Sequence, residues 1–200
     1  MSKVLIVKAH PLTKQESSTL ALLDIFLTEY QKLHPTDEFE IVDVFQKDFP
    51  SIDEQVLIAM QTKHEHLTAK QKQIKQLIHQ YTAQFLASDK IIIANPLWNY
   101  MVPSHLKQWI DTIVQSGETF AYTNNGKETY ADGKKVLHLQ SNGSPSHGND
   151  LASKYLDEIL QFIGISSIKH IYIDGKDIPA LTDQAIQQAQ QEALAYASQF

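Results

Sequence analysis

Three consecutive hydroxyl side chains stand directly before an apolar run near the start of the sequence. They are Ser17, Ser18 and Thr19, and the run begins at Leu20. Hydroxyls at the beginning of a helix can hold a terminal phosphate, because the first backbone N–H groups and the positive end of the helix dipole point the same way. The alternative is that one hydroxyl only caps the helix. The triplet is consistent with both interpretations.

A second segment places two large aromatic side chains around one amide, directly after another apolar run. It consists of Pro96, Leu97, Trp98, Asn99 and Tyr100. Because loops normally expose few aromatic rings, a flat heteroaromatic ligand would explain this composition, with the Asn99 amide offering a donor and an acceptor to a ring edge. The alternative makes both rings core or interface residues and Asn99 a turn former.

A third segment, Ser141, Asn142, Gly143 and Ser144, follows the next apolar run. The four residues predict a tight turn, in which glycine lets the backbone approach a planar ring edge closely. The same combination is also common in plain turns that bind nothing.

The residue types that the chain lacks restrict its chemistry. It contains no cysteine, which excludes disulfides, thiolate metal sites and thiol redox chemistry. A redox function would therefore need an organic cofactor. All seventeen basic residues are lysine, so an anion must be held by backbone N–H groups, hydroxyls or lysine rather than by an arginine fork.

Net charge and hydropathy exclude two classes of partner. The formal net charge of −6 and the scattered lysines give no electrostatic footprint for nucleic acid. No apolar run approaches the roughly 20 residues that a membrane span needs. The first residues pass straight into a strand-like run without the features of a secretory signal, which favours a cytoplasmic location.

Apolar and β-branched runs predict five strands separated by helical segments. The strands are predicted at residues 3–9, 39–44, 90–94, 135–139 and 168–173. One helix is predicted from the hydroxyl triplet to near His34, and a second, long helix opens with a capping box of Thr68 and Gln71 and continues at helical spacing to Leu86. Further helices are predicted over residues 104–114, 150–163 and 182–198. Residues 45–67 are predicted to be irregular with one short helix at 56–60, and Asn125-Gly126 predicts a hairpin within 119–134.

This alternation predicts one α/β domain over residues 1–200. The expected fold is flavodoxin-like, a doubly wound five-stranded parallel sheet in the strand order 2-1-3-4-5 with helices on both faces. In such sheets, ligands bind outside the carboxyl ends of the strands where the strand order reverses, here between the first and third strands. Residues 10–19, 96–100 and 141–148 are therefore expected to converge on one ligand.

Five segments resemble the FMN-dependent NADH-azoreductase family, within the flavodoxin-like quinone reductase superfamily. They are residues 3–7 (KVLIV), the serine pair at 17 and 18, residues 96–100 (PLWNY), residues 120–126 (FAYTNNG) and residues 162–165 (FIGI). The resemblance extends essentially from end to end. It implies bound FMN, NADH as co-substrate, a quinone or azo compound as acceptor, and ping-pong transfer of two electrons through the flavin.

The resemblance also implies roles for particular residues. It places the FMN phosphate at residues 17–19 and the isoalloxazine ring against residues 97–100 and 141–144. It further implies a homodimer with two active sites at the interface, in which Phe120 and Phe162 line the substrate cleft.

Two positions depart from the family pattern. His10 stands where some members have a serine near the phosphate, and Asn142 stands where some carry arginine. The departures leave any contact of these two positions with the substrate or the nicotinamide unassigned. The missing arginine favours NADH over NADPH, because a 2′-phosphate is commonly met by arginine, although lysine could replace it.

Three rival functions have less support in the sequence. Nine histidines, including His64 and His66, raise the possibility of a metal enzyme, but residues two apart do not share a helix face and no metalloprotease pattern occurs. A serine hydrolase would need a Gly-x-Ser-x-Gly motif, which is absent. The strongest rival is a non-enzymatic flavodoxin-like electron carrier or sensor, which would normally present its flavin to a large partner rather than cover it with aromatic side chains.

Overall fold

A computed structural model describes the backbone of residues 1–200 and every side chain except that of His64. One of the two histidines considered above as metal ligands therefore falls outside the described side chains. Among the described residues, no helix combines the length and apolar character that a membrane crossing requires.

The described chain contains seven strands and six α-helices, which alternate except where α3 follows α2 and where β4, β5 and β6 follow one another. The strands are β1 (Lys3–Lys8), β2 (Glu38–Asp43), β3 (Lys90–Pro96), β4 (Phe120–Thr123), β5 (Gly126–Thr129), β6 (Lys135–Asn142) and β7 (Ser167–Asp174). The α-helices are α1 (Ser18–Leu33), α2 (Glu54–Gln61), α3 (Ala69–Leu86), α4 (Ser104–Ile113), α5 (Leu151–Phe162) and α6 (Thr182–Tyr196). A short 3-10 helix, His64–His66, precedes α3.

The main sheet has five parallel strands in the order β2-β1-β3-β6-β7. Counted along the chain without the β4–β5 hairpin, this is the predicted order 2-1-3-4-5, so the predicted fold is confirmed. Alternate side chains of β1 enter different cores, since Leu5 and Val7 pack with α3, α4 and α5, whereas Val4 and Ile6 pack with α1 and α6. Burial of both faces explains the continuous apolar strand sequences.

Two local motifs form as the sequence predicts. Thr68 and Gln71 make the reciprocal capping box that starts α3. The Asn125-Gly126 pair lies at the turn between β4 and β5, where Gly126 has a φ of 109°. Glycine reaches this conformation without the steric penalty of a side chain.

Two strands continue further than predicted. β3 runs through Asn95 to Pro96 instead of ending at residue 94, and β6 runs to Asn142 instead of ending at residue 139. Pro96 is tolerated because it is the last strand residue, and the next residue, Leu97, supplies the N–H that bonds to the Ser141 carbonyl at 2.9 Å. Ser141 and Asn142 therefore belong to a strand, and the predicted tight turn over 141–144 is wrong for its first half.

Candidate active site

The three predicted segments meet at the carboxyl end of the sheet, around Ser141. The Thr19 and Ser141 hydroxyls are 2.6 Å apart, which joins the start of α1 to the end of β6. The Leu97 N–H bonds to the Ser141 carbonyl on the other side. The ring centroids of His10 and Trp98 are 5.6 Å apart, so the loops after β1 and β3 are also in contact.

The start of α1 keeps both interpretations of the hydroxyl triplet open. Ser17 is 5% exposed and caps the helix, because its Oγ accepts the Leu20 N–H at 3.3 Å. A hydroxyl that accepts one hydrogen bond still has its own proton to donate. Thr19 is fully buried and its hydroxyl is engaged with Ser141, so Ser17, the half-buried Ser18 and the first N–H groups of α1 are the donors that a phosphate could reach.

The aromatic segment after β3 forms a two-residue turn that presents its rings outward. The N–H and carbonyl groups of Trp98 and Met101 bond to each other at 3.0 Å in both directions. Asn99 and Tyr100, which lie between Trp98 and Met101, have φ values of 50° and 64°. This is the left-handed backbone conformation, which residues other than glycine rarely adopt. Tyr100 is 76% exposed and Trp98 41% exposed. This exposure excludes the core interpretation for both rings.

A cavity of about 560 Å³ lies between this turn and the loop after β6. Of the residues predicted to bind a ring, Leu97, Asn99, Tyr100, Gly143 and Ser144 line it. Its volume is within the usual range for cofactor sites, roughly 300–1,000 Å³. Of its remaining lining residues, Pro145 and Ser146 belong to the predicted 141–148 segment, whereas Asn149 and Asp150 were not predicted from the sequence.

The loop after β6 is held by the end of β7, a contribution that the sequence did not reveal. The Asp174 carboxylate accepts the N–H groups of Ser146 and His147 at 2.8 and 2.7 Å, and the amide of Asn142 at 3.0 Å. Burial alone would raise the pKa of Asp174, but these hydrogen bonds outweigh it and hold the pKa below its ordinary value. Asp174 is therefore a carboxylate at neutral pH.

Gly143 lies close to the segment that follows β7 and does not form a left-handed turn. It is not among the glycines with positive φ. A Cβ at this position would lie 2.5 Å from Oδ2 of Asp177, in the segment that follows β7. The Asp177 N–H also bonds to the Gly143 carbonyl at 3.0 Å, so the two loops pack directly on each other.

His10 lies at the end of β1 without acting as a cation. It is 8% exposed, and its Nδ1 accepts the Leu12 N–H at 3.1 Å. Burial, together with the nearby ammonium groups of Lys8 and Lys176, lowers the pKa of His10. The two lysines, rather than the imidazole, bring positive charge to this edge of the sheet, although Lys8 also pairs with Asp43 at 2.7 Å.

Phe120 and Phe162 contact each other but do not line the cavity. Their ring centroids are 4.7 Å apart in an edge-to-face arrangement. Phe162 is the last residue of α5, whereas the cavity-lining Asp150 caps the first turn of that helix. At a rise of 1.5 Å per residue, Phe162 lies about 16 Å along the helix from Leu151. Within one copy of the chain, the two phenylalanines are therefore remote from the other predicted site residues.

Comparison with known proteins gives matches along nearly the whole chain. A family model described as a flavodoxin-like fold matches residues 2–197. A Streptococcus suis protein named FMN-dependent NADH:quinone oxidoreductase is 43% identical over 188 residues, with 93% of each chain covered. A Lactiplantibacillus plantarum protein named FMN-dependent NADH:quinone oxidoreductase 2 is 34% identical over the whole of both chains.

Solved structures show the same similarity in three dimensions. An azoreductase from Bacillus anthracis superimposes with a TM-score of 0.93 at 27% identity over all of both chains. An FMN-dependent NADH-azoreductase from the same species, solved in complex with FMN, gives a TM-score of 0.90 at 27% identity, with 100% of this chain and 99% of that chain covered.

Proposed function

Because the chain belongs to the flavodoxin-like family of FMN-dependent NADH:quinone oxidoreductases, we propose that it uses bound FMN and NADH to reduce quinones and to cleave aromatic azo compounds. The bound flavin would supply the electron transfer, two electrons from one NADH in each ping-pong cycle, so that one cycle would reduce a quinone and two cycles would cleave an azo bond.

The observation that carries this proposal is the convergence of the three loops around Ser141. The start of α1 offers hydroxyls and free N–H groups, and the cavity of about 560 Å³ lies next to it across the Thr19–Ser141 hydrogen bond. A ligand with a phosphate at one end and a flat ring at the other matches this arrangement. The residues present therefore fit FMN, with residues 17–19 toward the phosphate and residues 96–100 and 141–144 toward the ring.

The protein's own groups would bind and orient rather than react. The outward-facing Trp98 and Tyr100 rings offer flat surfaces, and the Asn99 amide offers hydrogen bonds to a ring edge. The N-terminus of α1 offsets phosphate charge without arginine. The absence of arginine also favours NADH, which lacks the 2′-phosphate, over NADPH.

A homodimer completes the proposal. Phe120 and Phe162 are remote from the cavity within one chain, so they could line a substrate cleft only if a second copy presented them to it. The exposed rings of Trp98 and Tyr100 suit the same arrangement, because aromatic side chains are enriched at interfaces. Each active site would then use residues of both copies.

The test is spectroscopic and kinetic. The purified protein should be yellow, NADH should bleach its flavin under anaerobic conditions, and adding a quinone should restore the colour and sustain NADH consumption. Light scattering should give twice the chain mass of 22.7 kDa. A protein that takes up no FMN would overturn the proposal, and one that binds FMN without consuming NADH would instead be a carrier or sensor.

Replacing both Ser17 and Ser18 with alanine tests the phosphate site. We expect FMN affinity to fall about tenfold or more, since hydrogen bonds to a charged group contribute roughly 1.5–3 kcal/mol each. Loss of the Ser17 cap also lowers the free energy of unfolding by about 1 kcal/mol.

Thr68→Ala is the matched control for the serine pair. It removes the cap of α3, another N-terminal capping hydroxyl, and leaves the start of α1 intact. Fluorescence titration with FMN would separate the two effects. Equal FMN affinity in the double variant and this control would remove the serine pair from the site.

A further inference from the structure

A row of buried polar side chains crosses the sheet beneath the proposed flavin loops. Asn95 on β3 and His138, Gln140 and Asn142 on β6 are all fully buried. Buried polar groups are costly unless they are hydrogen-bonded. Side-chain hydrogen bonds join these four residues into one continuous chain. Its order is His138, Asn95, Gln140, Asn142.

The partners fix the direction of every amide in this chain. Asn95 donates from Nδ2 to the Pro96 carbonyl and to Oε1 of Gln140, both at 3.1 Å, so its Oδ1 is the acceptor that faces His138. Gln140 in turn donates to Oδ1 of Asn142 at 2.9 Å. Asn142 donates to Asp174 at 3.0 Å, and to the Ser146 hydroxyl at 2.7 Å.

His138 takes the tautomer that this direction requires. Its complete burial, together with the neighbouring His170, lowers the pKa of His138 to about 3, so the ring is neutral and carries a single proton. That proton must be on Nε2, because Nε2 faces the Asn95 oxygen at 2.9 Å. Nδ1 of His138 is therefore an acceptor.

His170 begins the chain of hydrogen bonds. Its Nδ1 lies 2.8 Å from the acceptor Nδ1 of His138 and donates to it, and its Nε2 lies 2.9 Å from the carboxylate of Asp157. The hydrogen bonds run in one direction from His170 to the Asp174 carboxylate, an arrangement in which each bond polarises and strengthens the next.

On the basis of the proposed function, we infer that His138 is a positioning residue for the flavin. Its Nε2–H bonds to the Asn95 oxygen and holds Asn95 in this orientation, and the chain of hydrogen bonds then fixes both loops that would receive the ring. One branch ends on the Pro96 carbonyl, at the start of the loop after β3. The other ends on Ser146 and Asp174, which hold the loop after β6.

Two substitutions at position 138 separate the hydrogen bond from the packing. His138→Leu fills similar space but leaves the Asn95 oxygen without a donor. His138→Gln places an amide NH₂ where Nε2 stands and restores that donor, while losing the bond to His170 as the leucine does. Val136→Ala is the control, because it creates a cavity at a buried position of the same strand that is outside the chain.

The measured quantity is the FMN dissociation constant, at a temperature where circular dichroism shows each variant to be folded. We expect His138→Leu to weaken FMN binding about tenfold, the loss of one buried hydrogen bond. His138→Gln should stay within about threefold of the wild type, and Val136→Ala should lower the melting temperature without changing FMN affinity. A merely structural role would make affinity follow the melting temperature in all three variants.

The outcomes are distinct. Unchanged affinity in His138→Leu, or equal losses in the leucine and glutamine variants, would overturn the positioning role while leaving the proposed function intact. A wild-type protein that binds no FMN would overturn both. If His138→Leu does not fold, Gln140→Met decides, because it interrupts the same chain one step later and should also weaken FMN binding about tenfold.

Discussion

Replacing Asp174 with asparagine is expected to weaken FMN binding about 50-fold. The carboxylate accepts two backbone N–H groups of the loop after β6 and the side-chain amide of Asn142 at the end of that strand. Asparagine offers only one oxygen and turns an NH₂ group toward N–H donors. Hydrogen bonds to charged groups contribute roughly 1.5–3 kcal/mol each, so losing the equivalent of one or two accounts for an effect of this size.

Asp177→Asn is the control for this experiment. Asp177 lies three residues later in the same segment, and its side chain is 65% exposed and paired with Lys176. Its backbone bond to Gly143 is unaffected by the substitution. FMN titration should therefore show near-wild-type affinity for Asp177→Asn, and an equal effect of both substitutions would mean that charge alone, not the hydrogen bonds to the loop, matters.

The same carboxylate gives a pH signature. Because the folded protein holds the pKa of Asp174 below its ordinary value, its contribution to stability is present above the unfolded-state pKa and is lost as the pH falls through the folded-state pKa. Acid should thus release the loop in the wild type. Asp174→Asn should lack this acid-dependent loss of stability. Asp150, which lines the cavity next to that loop and whose pKa is also lowered, is present in both proteins.

The largest loss of stability is expected from Trp109→Ala. Trp109 is the largest fully buried side chain, and its ring meets Phe85 of α3 edge to face at 6.1 Å. Truncating such a side chain costs about 3–5 kcal/mol, a large part of the roughly 5–15 kcal/mol that stabilises a native domain. Because α4 directly follows the loop of Trp98 and Tyr100, FMN affinity should fall as well.

Trp109→Phe should be far milder. The indole Nε1 is buried and finds no hydrogen-bond partner among the described groups. Phenylalanine keeps the aromatic contact and removes that unsatisfied donor, so the two effects partly cancel and the change should stay below about 1.5 kcal/mol. Thermal and urea unfolding would measure both variants. Similar losses for phenylalanine and alanine would show that the N–H group has an unrecognised role.

The fold could be predicted because its signals are local. Continuous apolar runs mark strands covered on both faces, and the capping residues at Ser17 and Thr68 mark helix starts within three residues of their partners. The loops at residues 17–19 and 96–100 carry recognisable side chains at the correct edge of the sheet. The order of the strands follows once the alternation is seen.

The remaining parts of the site depend on contacts that are distant in sequence. Asp174 bonds to Ser146, 28 residues away in sequence, and to Asn142, 32 residues away. No local sequence pattern predicts such pairs. His138 was hidden for a different reason, since one polar residue in an apolar strand gives no sign that its partners are Asn95 and His170. The extension of β3 and β6 was missed because a proline and a glycine nearby are ordinary strand-ending signals.

The left-handed turn at Asn99 and Tyr100 implies a trade-off between stability and activity. A tyrosine held at a φ of 64° is strained by about 1–2 kcal/mol relative to glycine. Glycine would relieve the strain but remove a ring that is mostly open to solvent and therefore contributes little to the core. Folding stability alone would favour glycine at position 100, so a tyrosine there indicates a role for the exposed ring outside the core.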